Sequence, residues 1–278
     1  MWKTSGKKEK GTDGKKRGRF IYIALIVVGL LLVISASIDM VTTQLEYSNA
    51  RKEYEDMAKL KPVVRTNTPP VQAPAPASQD NTTAPSAPAD EQTTPAFEIA
   101  EEKGVQDSIE GLLEINPDFI GWISIDGVIE YPVVQGRDNN RYLGVTFSGR
   151  RNGSGSIFMD CRNSKGFQDT VCILYGHNMR DGSMFAPLNQ YHDKSFLADN
   201  KYIKIITREE EILTYRIFDA RYTDAWDSVY SLGFKDAKSA AKTFRNAPED
   251  ANNFLLLSTC TNSTNNDDRL LVYAELVK

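Results

Sequence analysis

A cysteine where an apolar run gives way to a polar loop can present a thiolate to solvent on a rigid support. Phe254-Leu255-Leu256-Leu257-Ser258-Thr259-Cys260 is such a run, and Thr261 to Asp268 after it are polar throughout. Arg269 opens the next apolar stretch. If the two stretches pair as an antiparallel hairpin, the last residue of one faces the first of the other, which sets Arg269 beside Cys260. A guanidinium there favours the thiolate and can hold the oxyanion formed when sulfur attacks a carbonyl. The plain alternative is a surface ion pair of Arg269 with Asp267 or Asp268. Acyl transfer to a thiol also needs a proton donor for the leaving amine, a task suited to imidazole. Of two histidines, His177 follows the apolar Val171–Tyr175 and Gly176, at a strand end, whereas His192 sits in the polar Tyr191-His192-Asp193-Lys194. His177 is the better partner.

The remaining thiols read differently. Cys172 lies within an apolar strand, where a small hydrophobe packs; Cys161 ends a strand beside Arg162, and both packing and chemistry stay open for it. Three cysteines cannot all pair, so no disulfide framework is expected. With no histidine pair at ligand spacing and no clustered carboxylates, no metal or cofactor is expected.

The elements that must position these residues are mostly strands. Trp122–Ile125, Val128–Val134, Ser156–Met159, Thr170–Tyr175, Tyr202–Thr207, Ile212–Tyr222, Phe254–Thr259 and Leu270–Val277 are short, rich in β-branched and aromatic residues, and bounded by Gly, Asn and Asp. Ile99, Val105, Ile109, Leu112 and Leu113 keep helical spacing up to Asn116-Pro117, and Phe234, Ala237, Ala240, Ala241 and Phe244 predict a helix between strands six and seven. Eight strands with few helices imply a mainly β domain, a closed barrel or a sandwich.

Everything before this domain reads as delivery apparatus. Residues 1–19 hold eight Lys and Arg against Glu9 and Asp13; residues 20–38, Phe20 to Ile38, carry no charge and match the length of a membrane span. The positive-inside rule predicts a cytoplasmic N-terminus and an extracellular remainder. A cleaved signal ending near Ser35-Ala36-Ser37 is the rival, and the long uninterrupted run argues for retention. Residues 39–61 predict a helical stalk, 62–96 a Pro/Ala/Thr-rich linker, and 97–278 the globular domain. The net charge of −4 contains the +6 of the first 19 residues, so the outer portion is acidic and no nucleic-acid partner is implied.

Leu257-Ser258-Thr259-Cys260, Arg269 and the upstream Tyr175-Gly176-His177-Asn178-Met179 resemble the sortases, transpeptidases that attach surface proteins to the Gram-positive cell wall. Asn116-Pro117-Asp118-Phe119-Ile120-Gly121-Trp122-Ile123, Tyr131-Pro132-Val133-Val134-Gln135-Gly136, Gly155-Ser156-Ile157-Phe158-Met159-Asp160 and Met179 to Phe185 look like segments of class B, as does the helix before strand seven. The resemblance implies an eight-stranded sortase barrel with an N-terminal helical segment, and a catalytic His177, Cys260 and Arg269. It further implies that Asn139, Leu143, Tyr175 and Ser258, with Tyr230, line the groove for a sorting signal. One position departs: the family pattern Thr-Leu-x-Thr-Cys has Leu256 in place of its first Thr, and a packing change without loss of activity is expected. The implied partners are secreted proteins bearing a C-terminal sorting signal, a peptidoglycan precursor or other amine acceptor such as a pilin lysine, and the lipid bilayer. Two rivals stand beside this. A papain-like peptidase is disfavoured because its Cys precedes its His; a non-catalytic wall-binding protein on a stalk would make Cys260 mere core.

Overall fold

The computed structural model describes residues 13–62, 108–261, 265 and 267–277. The basic segment before residue 13, the Pro-rich linker from residue 63 and the first half of the helix expected from Phe97 lie outside the described residues. The chain divides into two units, residues 1–49 and 50–278.

Helix α1 is continuous from Asp13 to Ala58 and includes a stretch long and apolar enough to cross a membrane. Its final turns differ in kind from the rest. Ala50, Glu53 and Tyr54, spaced three and one residues apart on one helical face, are buried within the second unit. Lys61 Nζ then reaches Glu130 at 2.6 Å, and the same carboxylate accepts from Trp122 Nε1 and Ser124 Oγ. The compact unit thus includes residues that the sequence suggested were only stalk. A second helix, α2, covers residues 108–115 and buries Ile109 and Leu112.

Eight strands follow: β1 Phe119–Ile125, β2 Ile129–Val134, β3 Ile157–Met159, β4 Val171–Tyr175, β5 Tyr202–Thr207, β6 Ile212–Asp224, β7 Phe254–Cys260 and β8 Asp268–Leu276. They close into a barrel in the order β1-β2-β3-β4-β7-β8-β6-β5, with β5 pairing back on β1. The ladders are antiparallel except β2–β3 and β4–β7. The eight expected strands and the expected helix, α4 Ala237–Thr243, are all present; the short helix α3 Lys194–Asp199 was not foreseen.

Continuous apolar runs in β4, β7 and β8 reflect burial on both faces. Side chains alternate across a sheet. Val171, Ile173, Phe254, Leu256, Leu271 and Tyr273 form a cluster with Ala240 and Phe244 of α4 and its flank. Their neighbours Cys172, Leu174, Leu255, Leu257, Leu270 and Val272 are fully buried on the other face. Helix α4 therefore roofs the outer face of β4-β7-β8. Asp236 caps it by accepting from the Ser239 backbone, and Ser239 answers by accepting from the Asp236 backbone. Burying a side chain such as Phe244 here contributes about 1.5–3 kcal/mol.

Candidate active site

Parity carries the outer face beyond its roof. Tyr175 follows Val171 and Ile173 at steps of two, Ser258 and Cys260 follow Phe254 and Leu256, and Arg269 precedes Leu271 and Tyr273. All four belong to the face that α4 covers further down, and they stand where that cover ends. In the parallel β4–β7 ladder Tyr175 lies opposite Ser258, and Gly176 N continues the ladder to Ser258 O at 3.2 Å. Two residues further along each chain are His177 and Cys260. In the antiparallel β7–β8 ladder Cys260 pairs directly with Arg269. Three neighbouring chains thereby bring an imidazole, a thiol and a guanidinium to one level.

The groove there encloses about 320 Å³. All eight residues expected to form the site line it: His177, Cys260, Arg269, Asn139, Leu143, Tyr175, Ser258 and Tyr230. Phe158, Gly176, Ala225 and Thr259 complete the wall and were not foreseen. Cys260 is exposed, unlike the six strand residues before it. Arg269 donates from Nη1 to the Asp268 carbonyl oxygen at 3.1 Å.

The His177 ring is fixed by a backbone acceptor. Its Nε2 lies 2.7 Å from the Leu143 carbonyl oxygen. A carbonyl only accepts, so Nε2 carries hydrogen in this arrangement, and Nδ1 is the nitrogen left to exchange a proton. Gly176 makes the approach possible: a Cβ there would sit 2.5 Å from Ile157 and 2.7 Å from Phe185. Any side chain at 176 displaces the residue beside it.

Behind the groove lies a polar hub that the sequence did not announce. The Asp160 side chain is fully buried. It accepts from Arg162 Nε at 2.8 Å and Nη2 at 2.7 Å, from the Arg162 backbone at 3.0 Å, from Tyr175 Oη at 2.8 Å and from Asn139 Nδ2 at 3.0 Å. Burial pushes this carboxyl up, but the Arg162 and Tyr175 bonds outweigh that and hold it below the usual carboxylate range. Arg162 Nη2 also donates to the Tyr230 carbonyl oxygen at 2.8 Å, while Tyr230 Oη bonds Ser258 Oγ at 2.8 Å. Burial pushes the Tyr230 phenol up to about 12, so it stays protonated at neutral pH. Asn139, Tyr175 and Tyr230 are thus tied to one carboxylate. A charged pair two residues apart, just after the apolar β3, was the available signal.

The other candidates are placed apart. Cys172 is buried, and burial pushes its thiol up to about 12. Cys161 is half-buried with its backbone N–H on Asn139 Oδ1, and it does not line the groove. His192 is exposed at the end of a 3-10 turn, its ring 4.3 Å from that of Tyr222.

Comparison with known proteins adds independent findings. The Sortase domain family model matches residues 123–277. Sortase B of Staphylococcus aureus is 30% identical over 187 residues, 63% of this chain and 76% of that protein. Sortase B of Listeria monocytogenes is 46% identical over 95 residues, a match that spans 34% of this chain and 39% of that protein. Among solved structures, a mutant of Clostridium perfringens sortase B superposes with a TM-score of 0.63 at 27% identity, covering 82% of this chain and 98% of its own. A Staphylococcus aureus sortase B–substrate complex gives 0.61 at 26%, covering 84% and 99%. A Streptococcus pyogenes class B sortase involved in pilus biogenesis gives 0.54 at 31%, covering 63% and 99%.

Proposed function

Because the chain belongs to the sortase family of cysteine transpeptidases, with class B relatives, we propose that Cys260, His177 and Arg269 cut a C-terminal sorting signal and join the protein to a cell-wall amine. The observation that supports this assignment is the shared level of the three side chains in one groove, with Cys260 exposed in its wall.

The Cys260 thiol passes its proton to His177 Nδ1, making a thiolate and an imidazolium; the thiolate attacks a carbonyl carbon of the signal, and Arg269 holds the resulting oxyanion. The C–N bond breaks as His177 Nδ1 gives its proton to the departing amine, leaving a thioester. An incoming amine attacks that thioester, His177 Nδ1 takes the proton back, and the C–S bond breaks to restore the thiolate. Leu143, Asn139, Tyr175, Ser258 and Tyr230 form the walls that hold the signal. Leu143, exposed at the rim, offers an apolar contact, and Ser258 and Tyr230 a polar pair. Membership of a family of enzymes sets aside the non-catalytic stalked protein.

The helix α1 holds a candidate membrane anchor, and sortases act at the cell surface. We assign the basic first segment to the cytoplasm and the barrel to the outside on the positive-inside rule. Secreted substrate and lipid-linked acceptor then meet a tethered enzyme at high effective concentration. Polymerisation through a pilin lysine is the second reading, motivated by the likeness to the pilus-associated streptococcal structure.

The test is intact-mass analysis of the full chain in detergent with a panel of sorting-signal peptides. A covalent adduct equal to the N-terminal peptide fragment, missing in Cys260→Ala and discharged by an added amine, is expected. If no peptide yields an adduct and Cys260 resists an alkylating reagent in the folded protein, the assignment is wrong. Competition between a short peptidoglycan-like amine and a lysine-bearing pilin peptide separates the two acceptors.

A further inference from the structure

The last turns of α1 make contacts that a stalk does not need. Tyr54 is only 7% exposed, and its hydroxyl donates to the Gly155 carbonyl oxygen. Gly155 has φ +57°, and a Cβ on it would stand 2.4 Å from the Tyr142 carbonyl oxygen and 2.9 Å from that of Leu143. The Gly155 backbone therefore runs close beside the Leu143 carbonyl that holds His177 Nε2, and Ser156 N ties it to the Tyr142 carbonyl oxygen at 2.9 Å. The preceding residue of the helix acts on the same segment. Glu53 accepts from the Ser148 backbone at 2.9 Å and from Thr146 Oγ1 at 3.1 Å.

A second path leads from Tyr54 to the backbone of His177. The Tyr54 ring meets Tyr131 edge-on at 5.2 Å. Tyr131 Oη accepts from Met184 N at 2.9 Å, and the adjacent Phe185 N donates to the His177 carbonyl oxygen at 2.9 Å. Both the acceptor of the His177 ring and the loop that closes over its backbone are thus braced by one tyrosine.

We propose that Tyr54, seconded by Glu53, is a positioning residue that holds His177 in the Nε2–H form with Nδ1 turned to the reaction. The catalytic consequence rests on the acid–base role given to His177 above; the geometric claim does not. Small displacements of a proton-transfer group reduce rate far more than they reduce substrate binding.

The experiment uses the full chain in detergent, labelled with ¹⁵N-histidine. With two histidines in the sequence, a His192→Gln control assigns the His177 ring signals. Long-range ¹⁵N–¹H correlation then reads which ring nitrogen carries hydrogen. Tyr54→Phe keeps the ring against Tyr131 and removes only the hydroxyl, with its bonds to the Gly155 carbonyl oxygen and to Ser156 Oγ. The expected result is an Nε2–H signature in the wild-type neutral ring, mixed tautomers in Tyr54→Phe, and kcat lowered about two- to tenfold with KM within about twofold. Ile217→Val, in the interior of β6, serves as a comparison for general destabilisation and leaves the tautomer unchanged. A pure Nε2–H signal in Tyr54→Phe overturns the proposal whatever happens to activity. So does a mixed signal with unaltered kcat in an active enzyme. If the wild type forms no adduct with any peptide but Tyr54→Phe still mixes the tautomers, the brace stands and the transpeptidase assignment is what fails.

Discussion

Replacing Asp160 by asparagine tests whether the groove is held by its buried carboxylate. Five donors converge on the two oxygens, at 2.7 to 3.0 Å. An asparagine keeps one acceptor oxygen and turns an NH₂ toward donors on the other side. Tyr175 can rotate its hydroxyl to accept, but the Asn139 amide cannot simply invert, because its Oδ1 already accepts from Cys161 N at 2.8 Å. Arg162 is about half exposed, and water can serve its lost bonds, so its share is discounted. One buried donor left unsatisfied and one charge-assisted bond weakened amount to about 2–4 kcal/mol. For a domain of this size that lowers Tm by about 4–16 °C. The pH dependence has a definite sign. The folded carboxyl lies below its usual range, so its stabilisation is complete above the unfolded-chain value near pH 3.9 and vanishes as pH falls through the folded value. The Tm gap between wild type and Asp160→Asn therefore closes on acidification from about pH 5 downward. At neutral pH, kcat/KM for a sorting peptide falls about ten- to a hundredfold as Tyr175, Asn139 and Tyr230 loosen, while alkylation of Cys260 keeps its rate within about twofold. Differential scanning calorimetry from acid to neutral pH and a transpeptidation assay provide the readings. An Asp160→Asn protein with the wild-type Tm and wild-type kcat/KM would falsify the hub.

Three further outcomes follow from the same geometry. Arg269→Lys keeps the positive charge but loses the planar fork, and kcat should fall about a hundredfold with little change in Tm; wild-type turnover would remove Arg269 from the chemistry. Peptide mapping after brief alkylation at neutral pH should find Cys260 labelled first, Cys161 slowly and Cys172 not at all, since burial pushes the Cys172 thiol up to about 12; early labelling of Cys172 would contradict its enclosed position. Leu256→Thr restores the family residue but places a hydroxyl among Phe254, Tyr273 and Ile173, so stability should drop by about 1–3 kcal/mol at unchanged kcat; a gain in stability would show that the position already suits a polar side chain.

The strands were legible because each is a short β-branched or aromatic run between Gly, Asn and Asp, and the Cys260–Arg269 pairing followed from one hairpin. What single-strand patterns could not reveal was the approach of His177, which depends on β4 and β7 running side by side in parallel although about eighty residues separate them. Leu256 and Leu257 look alike in the sequence, yet one faces the roof of α4 and the other the barrel interior. Asp160 and Arg162 were hidden for a related reason: a charged pair after a strand ordinarily faces water, and only Asn139, Tyr175 and the Tyr230 segment, brought over it from elsewhere in the chain, enclose that carboxylate.

The turns of α1 around Tyr54 illustrate how far local pattern can mislead when a helix serves two surroundings. Through the apolar segment its side chains are uniformly exposed in the isolated chain, as a lipid-facing helix requires, and no stripe marks an inner side. From Ala50 the same helix becomes one-sided, burying Ala50, Glu53 and Tyr54 while Arg51, Lys52 and Glu55 stay in solvent. Charged residues dominate this part, so its composition matched a solvated stalk. Beside Ala50, the buried face is polar, one carboxylate and one phenol, and these two satisfy backbone groups: the Ser148 amide and the Gly155 carbonyl. An apolar face would leave those groups without partners at a cost of about 1–3 kcal/mol each. A domain cut at Phe97 would impose that cost on the 142–156 segment, so a chain beginning at Ala50 should melt above one beginning at Phe97; equal melting temperatures would show that these contacts hold the helix to the barrel without holding the barrel's own loop.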